Sequence, residues 1–219
     1  MCNLYNVSTN QEAIRALTRT FRDMTGNLPP SLDVYPDYPA PVVRIGDDGK
    51  RELANLRWGM PSPPQYAGPP ITNIRNTASS HWRRWLGPQN RCVVPATTFS
   101  EWEDTKPKKT KRWFAINEER PLFFFAGIWT KWHGQRKKAE GPMDHEIFGF
   151  LTTDANEIVK PIHPKAMPVI LTTQDEIESW LTVEWAEASN LQRSLPERKI
   201  TLLPLEQKNV DAKLSPSNE

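Results

Sequence analysis

The sequence has only two cysteines, Cys2 and Cys92, in 219 residues. That excludes a disulfide-stapled scaffold, and the spacing excludes a zinc site built on thiolates. Long hydrophobic runs are missing too. No stretch approaches the ~18 apolar residues of a membrane span. The start, MCNLYNVSTNQEAIRALTR, has no apolar segment of signal-peptide type. A reducing cytoplasm is therefore the expected location, where both thiols stay free. Nor is there a strong charge of one sign. Twenty-eight Lys and Arg against 26 Asp and Glu leave a net charge of +2, so bulk electrostatics does not demand a nucleic-acid partner.

What is present is proline, tryptophan and clustered base. The 21 prolines argue for many loops and short elements, and the 9 tryptophans offer flat faces that fill a core or stack on bases. Lys106, Lys108, Lys109, Lys111 and Arg112 crowd one stretch; Lys131, Arg136, Lys137 and Lys138 crowd another. Such runs are ordinarily solvated loops, but their nearness to tryptophans also suits a phosphate-facing surface.

Periodicity predicts a helix over Ser8 to Thr25, with Thr9 or Asn10 as cap. Proline-rich Leu28 to Pro41 reads as extended loop. Val42–Ile45 and Arg51–Trp58 read as strands joined by the turn Asp47-Asp48-Gly49, and Gly59 to Pro70 as loop. Further strands are expected at Arg91–Pro95, Trp113–Ile116, Leu122–Trp132, Glu146–Thr152 and Val169–Leu171. Helices are expected at Ala155–Ile158, at Gln174–Leu181 behind the cap Thr173, and at Ala186–Leu195. The reading is one α+β domain, mostly antiparallel β, over residues 1–205, with a polar tail at 206–219.

Cys2 is the sharpest chemical feature. Removal of Met1 leaves a 1,2-aminothiol whose α-amine has a pKa of about 8, well below lysine. Such an amine attacks an aldehyde, and the neighbouring thiol can then close a five-membered thiazolidine. The plainer reading is an accidental cysteine at position 2. Glu101, between Phe99 and Trp102, is either a desolvated proton shuttle or a strand-end carboxylate facing water. His163, in Pro161-Ile162-His163-Pro164-Lys165-Ala166-Met167-Pro168, is either a proton carrier or a structural histidine. Asn73 and Arg75 alternate in Ile71-Thr72-Asn73-Ile74-Arg75-Asn76, which on a strand puts both on one surface, for a substrate and a phosphate or merely for solvent.

Met1-Cys2, Trp58-Gly59, Asn73-x-Arg75, Phe99-x-Glu101-Trp102 and His163 followed by Met167-Pro168-Val169-Ile170-Leu171 occur in one order, spanning residue 2 to about 205. In this the chain resembles the SOS-response-associated-peptidase (SRAP) family, the abasic-site processing proteins of bacteria and eukaryotes. The resemblance implies a single α+β domain with a barrel-like β core and flanking helices. It implies a catalytic set of Cys2, Asn73, Glu101 and His163, with Met1 removed by the protein itself. DNA contacts would come from Arg75 and Trp102, from Lys165 in place of the family's arginine, and from a basic groove that Lys108 and Lys109 would join. The implied partner is single-stranded DNA carrying abasic sites, captured covalently as a thiazolidine in DNA-damage repair. No metal, cofactor or membrane is involved, the chain is expected to act as a monomer, and minor lyase activity is expected. The chain departs from the family pattern at Asn3, where glycine is usual, and at Thr77, where glutamate is common. Its histidine motif is one residue longer, and Met60 to Pro70 lacks tryptophan. Two other classes fit the residues alone: an N-terminal-nucleophile amidohydrolase, and a non-catalytic single-strand-binding module.

Overall fold

The computed structural model describes residues 2–9, 11–63 and 68–205. Its strands are β1 (Tyr5–Val7), β2 (Arg22–Asp23), β3 (Leu32–Val34), β4 (Pro39–Ile45), β5 (Arg51–Trp58), β6 (Asn73–Ile74), β7 (Arg91–Ala96), β8 (Thr98–Glu103), β9 (Thr110–Ala115), β10 (Phe123–Gln135), β11 (Pro142–Thr153), β12 (Met167–Pro168), β13 (Ile170–Leu171) and β14 (Thr201–Leu202). The helices are α1 (Gln11–Thr18), α2 (Ser80–Arg83), α3 (Gln174–Thr182) and α4 (Trp185–Ala188).

Turn chemistry starts the larger sheet. Gly49 takes φ +77°, where a side chain would be strained, and Gly46 N–H donates to Lys50 O at 2.8 Å. The β4–β5 hairpin this turn creates is extended by β7, β10 and β11, each antiparallel to the one before. β11 then runs parallel to β5, Phe148 beside Trp58, so β11-β10-β7-β4-β5 close into a barrel. The smaller sheet, ordered β14-β9-β8-β1-β3, packs its inner face against this barrel. Tyr5 lies edge-on to Trp58 at 5.2 Å and to Phe125 at 5.5 Å, and Phe99 stacks on Phe114 at 5.1 Å. This aromatic core accounts for much of the tryptophan and phenylalanine content, and Cys92 is buried within it. The fold is α+β, a single domain of mostly antiparallel sheet with few helices, and three pairings to β5 and β11 are parallel.

Arg44 stitches the barrel wall. Its Nε donates to Glu52 at 2.8 Å, its two Nη atoms to Glu146 at 2.9 and 3.0 Å, and its guanidinium lies 3.9 Å over Trp129. Glu52 is buried, and without Arg44 it keeps the half-exposed Arg22, at 3.3 Å, as its cationic partner. Arg44→Leu is expected to cost about 3 kcal/mol, read as a fall of about 6–12 °C in melting temperature.

Four sequence expectations are corrected. Leu28 to Pro41, expected as extended loop, holds β3, which pairs along the edge of β1, and the first residues of β4. The helix expected over Ser8 to Thr25 stops at Thr18. Arg19 turns the chain at φ +52°, and Phe21 and Met24 donate N–H bonds to Arg51 O and Leu53 O, so β2 becomes an edge of β5. Ala155–Ile158 is turn, not helix, because Asn156 accepts the N–H groups of Val159 and Lys160 on its own carbonyl and bonds Leu195 O through its amide. The helix expected at Ala186–Leu195 shrinks to α4 and a short 3-10 turn. By contrast α3 keeps the expected Thr173 cap, completed by Glu176 as a capping box. The cap candidate Asn10 and the tail at 206–219 lie outside the described residues. No helix among the described residues is long and apolar enough to cross a membrane.

Candidate active site

β1 carries residue 2 to its position. Tyr5 pairs with Phe99 of β8 on one edge and with Val34 of β3 on the other. Leu4 O accepts both the N–H and the hydroxyl of Ser100, at 3.0 and 3.2 Å, which continues the β8 contact outward towards Cys2. Glu101 follows Ser100 with its side chain on the buried face.

Asn73 approaches from the barrel. β6 runs parallel to β11, with Asn73 beside Phe150. The segment lies this close because Gly149 has no side chain: a Cβ there would sit 3.1 Å from Met60 Cγ and 3.3 Å from Ile71 O. The Asn73 amide donates to the carbonyl of Cys2 at 2.8 Å and reaches Thr72 Oγ1 at 2.8 Å. Its carbonyl oxygen is buried and accepts no bond from the described residues.

His163 ends the turns that connect β11 to β12. Its backbone N–H donates to Val159 O at 2.9 Å, and its ring Nδ1 lies 3.1 Å from Ala166 O. Since a carbonyl can only accept, Nδ1 carries the proton, and Nε2 faces Glu101 Oε2 at 4.0 Å. That span is too long for a direct hydrogen bond between the two. The four residues expected to act together, Cys2, Asn73, Glu101 and His163, thus meet from four separate parts of the chain.

Burial sets their protonation. It pushes the Glu101 carboxyl up to about 7 and lowers His163 below the usual imidazole range. The Cys2 thiol is almost wholly buried, with Sγ 3.5 Å from Leu4 O. Burial first, and the Glu101 charge second, push it well above a free thiol. At neutral pH the site therefore holds a protonated thiol, a neutral imidazole and a carboxyl poised to take or give a proton. Among the described residues no three His, Cys, Asp or Glu side chains form a metal-ligand cluster.

The expected DNA contacts surround this centre unevenly. Arg75 lies past the end of β6. It donates to Thr153 O at 2.8 Å and to Lys165 O at 3.0 Å, and pairs with the exposed Asp154. Lys165 is exposed two residues beyond His163. Trp102 is 47% exposed, with Lys111 Nζ 5.4 Å from its ring centre. Lys108 and Lys109 are exposed on the β8–β9 turn, away from the four central residues, and Lys109 lies 3.9 Å from Asp104. In the second basic run Arg136 donates to Gly59 O, and Lys131 and Lys137 lie within 4 Å of carboxylates.

Sequence reasoning missed the residues that hold Arg75. Gln192 donates to Arg75 O at 2.9 Å and Thr152 O at 3.0 Å, and accepts from Thr77 at 2.8 Å, which gives Thr77 a structural task. No local signal marks Gln192 or Asp154. The lengthened histidine motif supplies two acceptors: the Ala166 carbonyl accepts from His163 Nδ1–H and the Lys165 carbonyl accepts from Arg75.

The chain matches the family described as SOS response associated peptidase (SRAP) over residues 1–212. It is 32% identical over 178 residues to the abasic site processing protein YoqW of Bacillus subtilis (strain 168), covering 78% of this chain and 75% of that one. It is 26% identical over 196 residues to the abasic site processing protein HMCES of Pongo abelii, covering 69% of this chain and 53% of that one. Among solved structures, a protein from Bordetella bronchiseptica shares the fold with a TM-score of 0.72 at 22% identity, over 93% of this chain and all of the other.

Proposed function

Because the chain belongs to the SOS response associated peptidase (SRAP) family, we propose that it captures abasic sites in single-stranded DNA covalently, through the α-amine and thiol of Cys2 once Met1 is gone. One observation carries the reading. The Asn73 amide holds the backbone carbonyl of residue 2 at 2.8 Å, beside a carboxyl raised to about 7 and a neutral histidine. That bond fixes the backbone of residue 2, and with it the amine, beside the two groups that would move its protons.

The sequence of steps follows from the protonation states. The Cys2 amine adds to the aldehyde of the ring-opened sugar, giving a carbinolamine. Glu101, protonated, gives its proton to the departing hydroxyl; water leaves and a Schiff base forms. The Cys2 thiol adds to the carbon of this protonated Schiff base, its proton passing to the Glu101 carboxylate, directly or by way of His163 Nε2, which restores the acid as the neutral thiazolidine closes. The adduct weighs one water less than its parts. Proximity supplies much of the rate, since both nucleophiles belong to one residue. β-Elimination from the Schiff base gives minor strand cleavage. Before any of this Met1 must leave, a hydrolysis assigned to the same site. Residues 1–205 act as one processing domain, and the chain works as a monomer.

The amidohydrolase alternative needs free donors facing an oxyanion. Here the Asn73 amide is occupied by Cys2 O and Thr72 Oγ1. The test is denaturing electrophoresis with single strands that carry, or lack, one abasic site, followed by intact mass. A band confined to the abasic strand, at the summed mass less water, supports the reading. Its absence from protein shown to lack Met1 overturns it.

Arg75, Trp102 and Lys165, with Lys108 and Lys109 further out, are proposed to hold the strand through phosphates and stacking. Asp154 competes with phosphate for Arg75. Asp154→Asn is expected to tighten single-strand binding about threefold, measured by fluorescence anisotropy.

A further inference from the structure

The strand order of the smaller sheet puts exposed aromatic residues on both sides of Cys2. On one edge of β1 lies β8 with Trp102; on the other lies β3, which runs on into Tyr35. Tyr5 pairs with Val34, so Leu4 comes opposite Tyr35. Cys2 is then one strand spacing and two residues away, roughly 8 Å along the backbone. Continuing the β1–β8 register puts Trp102 opposite Cys2, so Trp102 and Tyr35 stand two strand spacings and two residues apart, roughly 12 Å.

Tyr35 and Tyr38 are 42% and 59% exposed, with ring centres 6.0 Å apart, and neither belongs to the hydrophobic core. The turn that carries them is firmly held. Tyr38 N–H donates to Tyr35 O at 3.1 Å, Asp37 N–H to Trp58 O at 2.8 Å, and Trp58 N–H to Tyr38 O at 2.9 Å. Asp37 sits at φ +70°, and Arg57 grips both of its carboxylate oxygens at 2.7 Å. Lys137 reaches the same carboxylate at 3.8 Å with its side chain 61% exposed. Large apolar rings left in water on an immobile turn lose little entropy when something flat lies on them. The cation beside them suits a phosphate.

We propose that the Tyr35–Tyr38 turn is a second stacking platform, which takes the nucleobase flanking the abasic residue on the side away from Trp102. The lesion has no base of its own, so a strand centred on Cys2 can be gripped only by its neighbours. The two aromatic platforms are spaced to take one on each side. This rests on the abasic-site reading of the Cys2 site.

The test uses the full-length protein and a short labelled single strand with an unreactive tetrahydrofuran abasic analogue at its centre. Binding is measured by anisotropy for wild type, Y35A/Y38A and Y35F/Y38F, with melting curves as a folding control. The alanine pair is expected to weaken binding about tenfold and the phenylalanine pair to restore it, because stacking needs the ring and not the hydroxyl. Replacing the base on one flank by a second tetrahydrofuran should cost wild type the same factor and cost Y35A/Y38A nothing more. Unchanged affinity in Y35A/Y38A, or penalties that multiply on both flanks, would overturn the platform. A parallel reaction with a true abasic strand separates the two ideas. Tyrosine-dependent binding with no covalent band would sink the Cys2 reading alone; a covalent band with tyrosine-independent binding would sink the platform alone.

Discussion

Cys2→Ala is expected to reduce the denaturant-resistant adduct with abasic single-stranded DNA to background, while noncovalent binding stays within about twofold, because a buried side chain touches no phosphate. The variant keeps an α-amine once Met1 is removed, and alanine is small enough to leave the backbone of residue 2 in place. Asn73 can still hold the residue 2 carbonyl, since that bond is to the main chain. The Schiff base therefore still forms, but nothing closes the ring. The imine reverts in denaturant, or loses the strand by β-elimination. Borohydride added during the reaction should trap it and recover a shifted band from the variant. Three results can be told apart on one gel. A stable band from Cys2→Ala without borohydride means that the thiol is not needed and the linkage is not a thiazolidine. No band even with borohydride, from variant whose intact mass shows that Met1 is gone, means that the amine of residue 2 is not the first nucleophile. A borohydride-dependent band in the variant, beside an independent one in wild type, assigns the two steps to the two groups of one residue. The buried, protonated state of the thiol makes its step conditional on a base, since the thiolate is the nucleophile.

Much of the fold could be read from the chain because its signals are local. The β4–β5 hairpin is fixed by Asp47-Asp48-Gly49 and by alternation in the strands on either side, and β5 has the bounds the pattern predicts. Thr173 with Glu176 marks the start of α3 unambiguously. The errors came where a distant backbone outweighed a local preference. Phe21 and Met24 keep helical spacing with Leu17 yet leave the helix and remain exposed, because the open edge of β5 offers carbonyls that the segment takes instead. Closure of the barrel rests on a parallel contact between β5 and β11, which no short motif announces.

The candidate site divides in the same way. Its four central residues stand in short motifs and could be named from the sequence. Their geometry could not, since Asn73 meets the carbonyl of Cys2 across 71 positions. The reading of Asn73 and Arg75 as neighbours on one strand face was too simple. β6 ends at Ile74, and Arg75 turns to bind carbonyls at Thr153 and Lys165. Arg75 thereby braces the loop that presents His163, so a phosphate drawn to this arginine would arrive next to that imidazole.

Glu101→Gln is expected to slow adduct formation by about 10²–10⁴-fold and at the same time to make the protein more stable. Burial raises the folded carboxyl to about 7 from an ordinary 4.5. The folded state then holds this proton more tightly than the unfolded chain does. The resulting stabilisation is complete below about pH 4.5 and is lost as pH rises through 7, where a buried charge must be carried. A shift of this size is worth about 3 kcal/mol above neutrality. Glutamine has no charge to bury, so Glu101→Gln should melt about 6–12 °C above wild type at pH 8, the gap closing towards pH 4.5. The rate profile of wild type should be bell-shaped. It needs a deprotonated amine, with a pKa of about 8, and a protonated carboxyl, lost above about 7. In Glu101→Gln the high-pH fall should vanish while the amine limb stays. A slower variant that is also less stable would make Glu101 a packing residue whose loss disturbs the site. A variant of unchanged rate would move the proton transfer to His163. Slower turnover with higher stability and a one-sided profile would mean that the chain keeps a costly buried carboxylate for its chemistry.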